Sequence, residues 1–183
     1  RVKQESVFDN YEDFLLSLDM KAEIKPFSSI YTERITQLIN KTNQFNLTTN
    51  RYKLTEIEEV LLNEKFITLY GKLTDKFGDN GLVSVLIGEI IDGICIVDTW
   101  LMSCRVLKRD MEFAMFDKLV QECEIRKLTK IVGIYKSTSK NNMVSNIYSN
   151  LGFKFVENND EDAMVWKLEI GNYSQKEIAI KIN

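Results

Sequence analysis

The stretch "DTWLMSCRVLKRDMEFAMFDKL", Asp98–Leu119, decides how the chain is read. Its front belongs to the apolar run "ICIVDTWLM", a strand pattern. Its back, with the residues that follow, places Phe116, Leu119, Val120 and Cys123 on one helical stripe. A strand therefore runs into a helix, with Cys104 and Arg105 at the junction. Such junctions gather backbone N–H groups and the positive end of a helix dipole, which favour anions and thiolates. Yet Lys108 and Asp110 stand where a phosphate-cradling turn would use glycine.

Outward from this junction, the pattern alternates between the two periods. "MKAEIKPF" is a short strand ended by Pro26, the single proline. Ser28 or Ser29 is positioned to cap a helix with the stripe Tyr31, Ile35, Leu38, Ile39. A polar loop, "TNQFNLTTN", follows. Thr55 with Glu58 then forms a capping-box pattern for a second helix. Ile67, Leu69 and Leu73 lie on one strand face, and "DKFGDNG" is dense in turn residues. "LVSVLIGEI" and "ICIVDTWLM" form a hairpin around Asp92-Gly93. "KIVGIY" reads as a strand buried on both faces. Asn141 to Leu151 reads as a helix closed by Gly152, and "FKFVE" with "AMVWKLEI" as a final antiparallel pair.

The order β-α-α-β-β-β-α-β-α-β-β predicts an α/β fold with a mixed central sheet and helices on both faces. It resembles the GCN5-related N-acetyltransferase (GNAT) fold, a likeness strengthened by "LGF" after a Tyr-bearing helix. Residues 21–170 are assigned to this domain. Residues 1–20, with Phe8, Tyr11, Phe14, Leu15 and Leu18 at helical spacing, read as a helix or linker reaching from an upstream domain, or packing on this one. Residues 171–183 are a polar tail with a weak alternation at Ile178, Ile180 and Ile182, suited to an edge strand or to no fixed structure. Arg1 in place of Met suggests a piece of a longer protein.

Composition narrows the chemistry. The chain has 183 residues, 44% of them hydrophobic, enough for one core without disulfides or metal. A net charge of −3 argues against a general nucleic-acid partner. Three cysteines without paired spacing read as reduced thiols of a cytoplasmic protein. Histidine is absent, which removes the usual general base and the usual zinc ligand, so no metal site is expected. No apolar run approaches a membrane span.

Four short segments resemble something narrower, the carboxy-terminal domain of FkbH-like proteins. They are "KTNQFNLTT" (Lys41–Thr49), "DKFGDNG" (Asp75–Gly81), "SCRVLKR" (Ser103–Arg109), and "KN" (Lys140-Asn141) with "LGF" (Leu151–Phe153). In that family a haloacid-dehalogenase-like (HAD-like) domain precedes the GNAT-like one. Members move a three-carbon glyceryl unit from 1,3-bisphosphoglycerate onto the phosphopantetheine thiol of an acyl carrier protein. The resemblance implies an acyltransferase domain whose partners are a carrier protein and an upstream HAD-like domain. The Asp-x-Asp-x-Thr motif of the phosphatase is not in this sequence.

Under that resemblance Cys104 is the transient acyl carrier, with Arg105 and Asp79 as catalytic companions. If the strand kept its alternation, however, Cys104 would share the face of Trp100 and Met102 and pack as a small hydrophobe. Lys108 and Arg109 would meet the phosphate of the arm, or simply be solvated. The amides of Asn43, Gln44 and Asn46, with Thr48, suit pantetheine or a hydroxylated acyl group, but equally their own loop backbone. Lys140 and Asn141 would contact substrate, with helix capping by Asn141 the plainer reading. Tyr148 stands at the general-acid position of many GNAT enzymes, or belongs to the core stripe with Val144 and Ile147. Cys95 and Cys123 read as core. Two other functions remain open: N-acylation from acyl-CoA, and non-catalytic docking of a carrier protein.

Overall fold

The computed structural model describes residues 10–183. Among these residues five helices, α1 (Tyr11–Ser17), α2 (Thr32–Lys41), α3 (Leu54–Leu62), α4 (Met111–Ile125) and α5 (Ile147–Asn150), surround an eight-stranded sheet. The strands are β1 (Lys21–Lys25), β2 (Phe66–Asp75), β3 (Gly78–Ile91), β4 (Ile94–Met102), β5 (Lys130–Tyr135), β6 (Lys154–Asn158), β7 (Met164–Glu169) and β8 (Lys181–Ile182). Their spatial order is β6-β7-β5-β4-β3-β2-β1-β8. The β4–β5 and β1–β8 pairs are parallel and the rest antiparallel.

The expected order of strands and helices is found. Alternation on β2 sends Ile67, Leu69 and Leu73 into one core, with Trp100, Phe116 and Tyr148. Tyr70 on the same strand joins the second core with Ile35, Ile39 and Ile57 of α2 and α3. The sheet therefore buries apolar side chains on both faces, as a central mixed sheet must. Phe14, Leu15 and Leu18 of α1 are in the first core, so this helix packs on this domain; Phe8 lies outside the described residues. The tail supplies β8, which extends the sheet beside β1, with Ile180 buried.

Several local expectations are corrected. α2 begins at Thr32 after a 3-10 turn over Ser29–Tyr31, and the Ser28 side chain does not cap it. α3 starts at Leu54, and the Glu56 carboxylate accepts from the Lys53 N–H at 2.9 Å, so Thr55 and Glu58 are not the capping pair. The span from Asn141 to Leu151 breaks into a 3-10 turn (Asn142–Val144) and the short α5. The Asn141 side chain is committed to other loops, as described below, and cannot cap a continuous helix. β5 alternates, with Ile131, Gly133 and Tyr135 buried and the intervening residues half-buried.

Candidate active site

β4 and β5 pair only over Ile94–Val97 and Lys130–Gly133, then separate. On its other side β4 has a bulge: Ile87 faces Thr99 and Gly88 faces Val97, so Asp98 is the extra residue. Beyond it, the backbone of Trp100–Met102 faces an opening in the sheet. The loop after α2 fills that opening. The Leu47 N–H donates to Trp100 O at 3.0 Å, and the Met102 N–H donates to Phe45 O at 3.0 Å. On the far side the Lys136 N–H donates to Leu47 O at 2.8 Å.

Two buried asparagines hold this loop. The Asn141 amide donates to Asn46 O and to Lys136 O, both at 2.9 Å, while its oxygen accepts from the Thr138 N–H at 2.8 Å. The Asn46 amide donates to Thr42 O at 3.1 Å, and its oxygen accepts from the Thr49 N–H at 2.9 Å. Thr48 donates its hydroxyl to Asp98 O at 2.8 Å. Asn46, Thr48 and Asn141 are all buried. Their polar groups serve the loop backbone, so the substrate contacts expected of these three are not available on the surface. The Asn43 oxygen accepts from the Arg51 guanidinium. Gln44 alone of the loop amides faces outward, and its Oε1 lies 3.3 Å from Cys104 Sγ.

Cys104 is exposed, whereas Trp100 and Met102 are fully buried. The alternation stops because β4 ends at Met102 and the chain turns into a 3-10 turn over Cys104–Val106, capped by Ser103. Cys95 and Cys123 are buried beside each other, and hydrogen bonding to Cys123 together with burial drives the Cys95 thiol far up. Arg105 is exposed, with its backbone N–H and Nε both reaching the Ser103 hydroxyl.

The turn before α4 keeps a glycine-type backbone without glycine. Lys108 has φ 62° and Asp110 φ 67°, both left-handed. The Lys108 side chain is exposed and its carbonyl accepts from the Tyr11 hydroxyl. Arg109 turns the other way. Its guanidinium forms a 2.6 Å ion pair with Asp75, with side-chain exposures of 4% and 1%. Burial pushes the Asp75 carboxyl up, but hydrogen bonds from Arg109, the Phe77 N–H and Asn80 prevail and hold it below the ordinary carboxylate range. Arg109 thus ties the β2–β3 hairpin to this turn and is not open to a phosphate at the surface.

Asp79 is exposed near that hairpin's tip, where its carboxylate accepts from the Gly81 N–H at 2.7 Å. No hydrogen bond or ion pair joins Asp79 to Cys104, whose sulfur lies against Gln44. Lys140 is exposed beside Asn141. Tyr148 is 1% exposed. Its ring fills the space over Gly133, where an added Cβ would come within 2.4 Å of it. Its hydroxyl donates to Ile134 O at 3.4 Å, and burial drives its acidity far down, so it is a core residue in this geometry.

One cluster escaped the sequence reading. The Asp98 carboxylate accepts from the Tyr52 hydroxyl, from Thr99 Oγ1 at 2.8 Å and from the Asn50 amide at 3.3 Å. Burial, then Asp98, pushes the Tyr52 hydroxyl far up. Asp98 borders a cleft of about 210 Å³ with Asn50, Glu89, Lys136 and Glu161. A carboxylate in the middle of the apolar run "ICIVDTWLM" was the available signal.

Solved structures share this fold. The ribosomal-protein-S18-alanine N-acetyltransferase of Escherichia coli superposes with TM-score 0.61 at 13% identity, over 81% of this chain and 94% of its own. The PaiA N-acetyltransferase of Thermoplasma acidophilum, in complex with coenzyme A, gives 0.60 at 14% over 81% and 99%. The spermidine N-acetyltransferase of Vibrio cholerae, with CoA and spermine, gives 0.63 at 12% over 84% and 98%. The fold is GNAT-like. No family model matches the chain, and no curated protein matches it in sequence.

The start of α4 is not built as a glycine-rich phosphate cradle. Cβ atoms stand at both left-handed positions. Asp110 stands at the N-cap and Glu112 in the first turn, and burial followed by the charge of Asp110 raises the Glu112 carboxyl. Lys176 from the tail lies 3.9 Å from Asp110 and over the Phe113 ring. Among the described residues no cluster of His, Cys, Asp or Glu could hold a metal ion, and no helix is long and apolar enough to cross a membrane.

Proposed function

We propose that this chain is an acyltransferase domain of GNAT-like fold that passes a glyceryl-type acyl group to the phosphopantetheine thiol of an acyl carrier protein. One observation carries the reading: the exposed thiol of Cys104 at the end of β4, in a chain whose other two thiols are buried. The resemblance to FkbH-like proteins supplies the donor, 1,3-bisphosphoglycerate, and the expected upstream HAD-like domain.

In this reading the Cys104 thiolate attacks the acyl carbon of the acyl phosphate. The carbon–oxygen bond to phosphate breaks, inorganic phosphate leaves, and a 3-phosphoglyceryl thioester forms on Cys104; water cleaves the remaining C3 phosphate ester in the phosphatase domain that the resemblance places upstream, leaving the glyceryl unit. The carrier's thiolate then attacks the same carbon and Cys104 departs as thiolate. The exchange is nearly isoenergetic because one thioester replaces another. Arg105 and Lys108, both exposed at this junction, stabilise the phosphate charges, and Gln44 orients the Cys104 sulfur. A carrier arm bears one phosphodiester and no adenine nucleotide, so it asks less of the α4 turn than coenzyme A does.

Incubating the full-length protein with 1,3-bisphosphoglycerate and holo-carrier tests the reading by intact mass spectrometry. A glyceryl adduct on the carrier is expected, with loading lost in Cys104→Ala. Absence of an adduct removes the function; loading at the normal rate in Cys104→Ala removes the nucleophile.

A second reading, N-acylation of an amine from acyl-CoA, is favoured by the two CoA-bound neighbours. It expects tight CoA binding by calorimetry, which the first reading does not.

A further inference from the structure

Where β4 and β5 separate, their facing backbone groups no longer pair with each other, and such an edge is the natural template for an extended ligand bearing amides. A pantetheine arm has two amides and matches that description. Here the template is already taken. Phe45 O and the Leu47 N–H pair with Met102 and Trp100 of β4, and Leu47 O pairs with the Lys136 N–H past the end of β5. Phe45, Asn46 and Leu47 are buried, and Asn46 and Asn141 lock the segment through side-chain hydrogen bonds to backbone. Phe45 adds an edge contact to Trp100, with ring centroids 6.2 Å apart. The segment leaves the gap next to Gln44, which touches Cys104.

Building on the acyl-transfer reading above, we propose that residues 45–47 are a resident strand that permanently closes the gap between β4 and β5. A pantetheine arm therefore does not thread the sheet; it presents its sulfur at the outer rim, at Cys104. Arm binding leaves the resident strand's hydrogen bonds intact.

Two measurements test this. The first is hydrogen exchange on the full-length protein. The amides of Leu47, Met102 and Lys136 should be protected by at least about 1,000-fold, and unchanged by saturating holo-carrier, phosphopantetheine or CoA. Faster exchange at these three amides with any of these ligands, or their lack of protection in the protein alone, overturns the proposal. This readout does not depend on loading activity, so it stands apart from failure of the acyl-transfer reading.

The second is a reversible lock. Asn46 and Leu101 face each other as a non-hydrogen-bonded antiparallel pair, with Cα atoms about 4.5 Å apart in such pairs, within disulfide reach. In the variant Asn46→Cys/Leu101→Cys made in a Cys104→Ala background, which removes the exposed thiol, the oxidised form should bind carrier bearing an S-methylated phosphopantetheine arm within about twofold of the reduced form. A loss of binding of about tenfold or more on oxidation, restored by reduction, shows that the strand must move and overturns the proposal.

Discussion

Removing the partner of Arg109 gives the most direct check on how the α4 turn is built. Asp75→Ala leaves a guanidinium, 4% exposed, without its counter-ion. Its Nη2 already has no hydrogen-bond partner, so nothing nearby compensates. Breaking a buried pair by removing one member costs about 3–5 kcal/mol. For a chain of 183 residues, an unfolding entropy of about 0.4 kcal/mol/K converts this to a fall in Tm of about 8–13 °C. Replacing both partners, with Arg109→Met added, removes the stranded charge and should recover at least about 1.5 kcal/mol. Urea unfolding followed by the fluorescence of the buried Trp100 measures all four corners of the cycle. The pH dependence has a definite sign. The native Asp75 carboxyl is held below its ordinary value, so its contribution is fully present above the unfolded pKa. It is lost as pH falls through the folded pKa, and wild type and Asp75→Ala should converge in acid. Single variants costing under about 1 kcal/mol, or a cycle additive within about 0.5 kcal/mol, would show that the pair does not hold the turn.

Three further outcomes are expected. Lys108→Gly relieves a left-handed residue at φ 62° and should stabilise the fold by about 0.5–1 kcal/mol in thermal melts; a loss of stability would deny the strain. Gly133→Ala drives a methyl group into the Tyr148 ring and should cost about 1–3 kcal/mol in urea unfolding, with a neutral result refuting the close packing. An aromatic disulfide reagent should titrate one thiol in the native protein and three in denaturant, and Cys104→Ala should abolish the native reaction; two fast native thiols would contradict the burial of Cys95 and Cys123.

Much of the fold was legible because the periodicity of apolar residues records which face each element buries. Ile67, Leu69 and Leu73 on β2, and Phe116, Leu119 and Cys123 on α4, point inward as their spacing requires. The site was less legible because each of its features depends on a partner distant in sequence. Arg109 reads as a phosphate contact or a solvated cation until Asp75 is brought beside it. Asn46 reads as a ligand contact or a partner of its own loop, and Asn141 as a substrate contact or a helix cap, until the loop after α2 enters the sheet, 95 residues from its anchor. Cys104 reads as either core or surface, since alternation alone does not say where β4 ends.

The sequence by itself determined the order of strands and helices, the two apolar faces of the sheet and the departure from glycine at positions 108 and 110. These are local properties, set by side-chain period and by composition. Only the tertiary structure decided that Arg109 is buried in an ion pair, that Tyr148 fills the space above Gly133, that Asp98 sits on a bulge, and that residues 45–47 occupy the gap beside β4. Each of those outcomes satisfies a buried charge, a void or an unpaired backbone group with atoms from a remote segment, and a single segment's pattern carries no record of that partner.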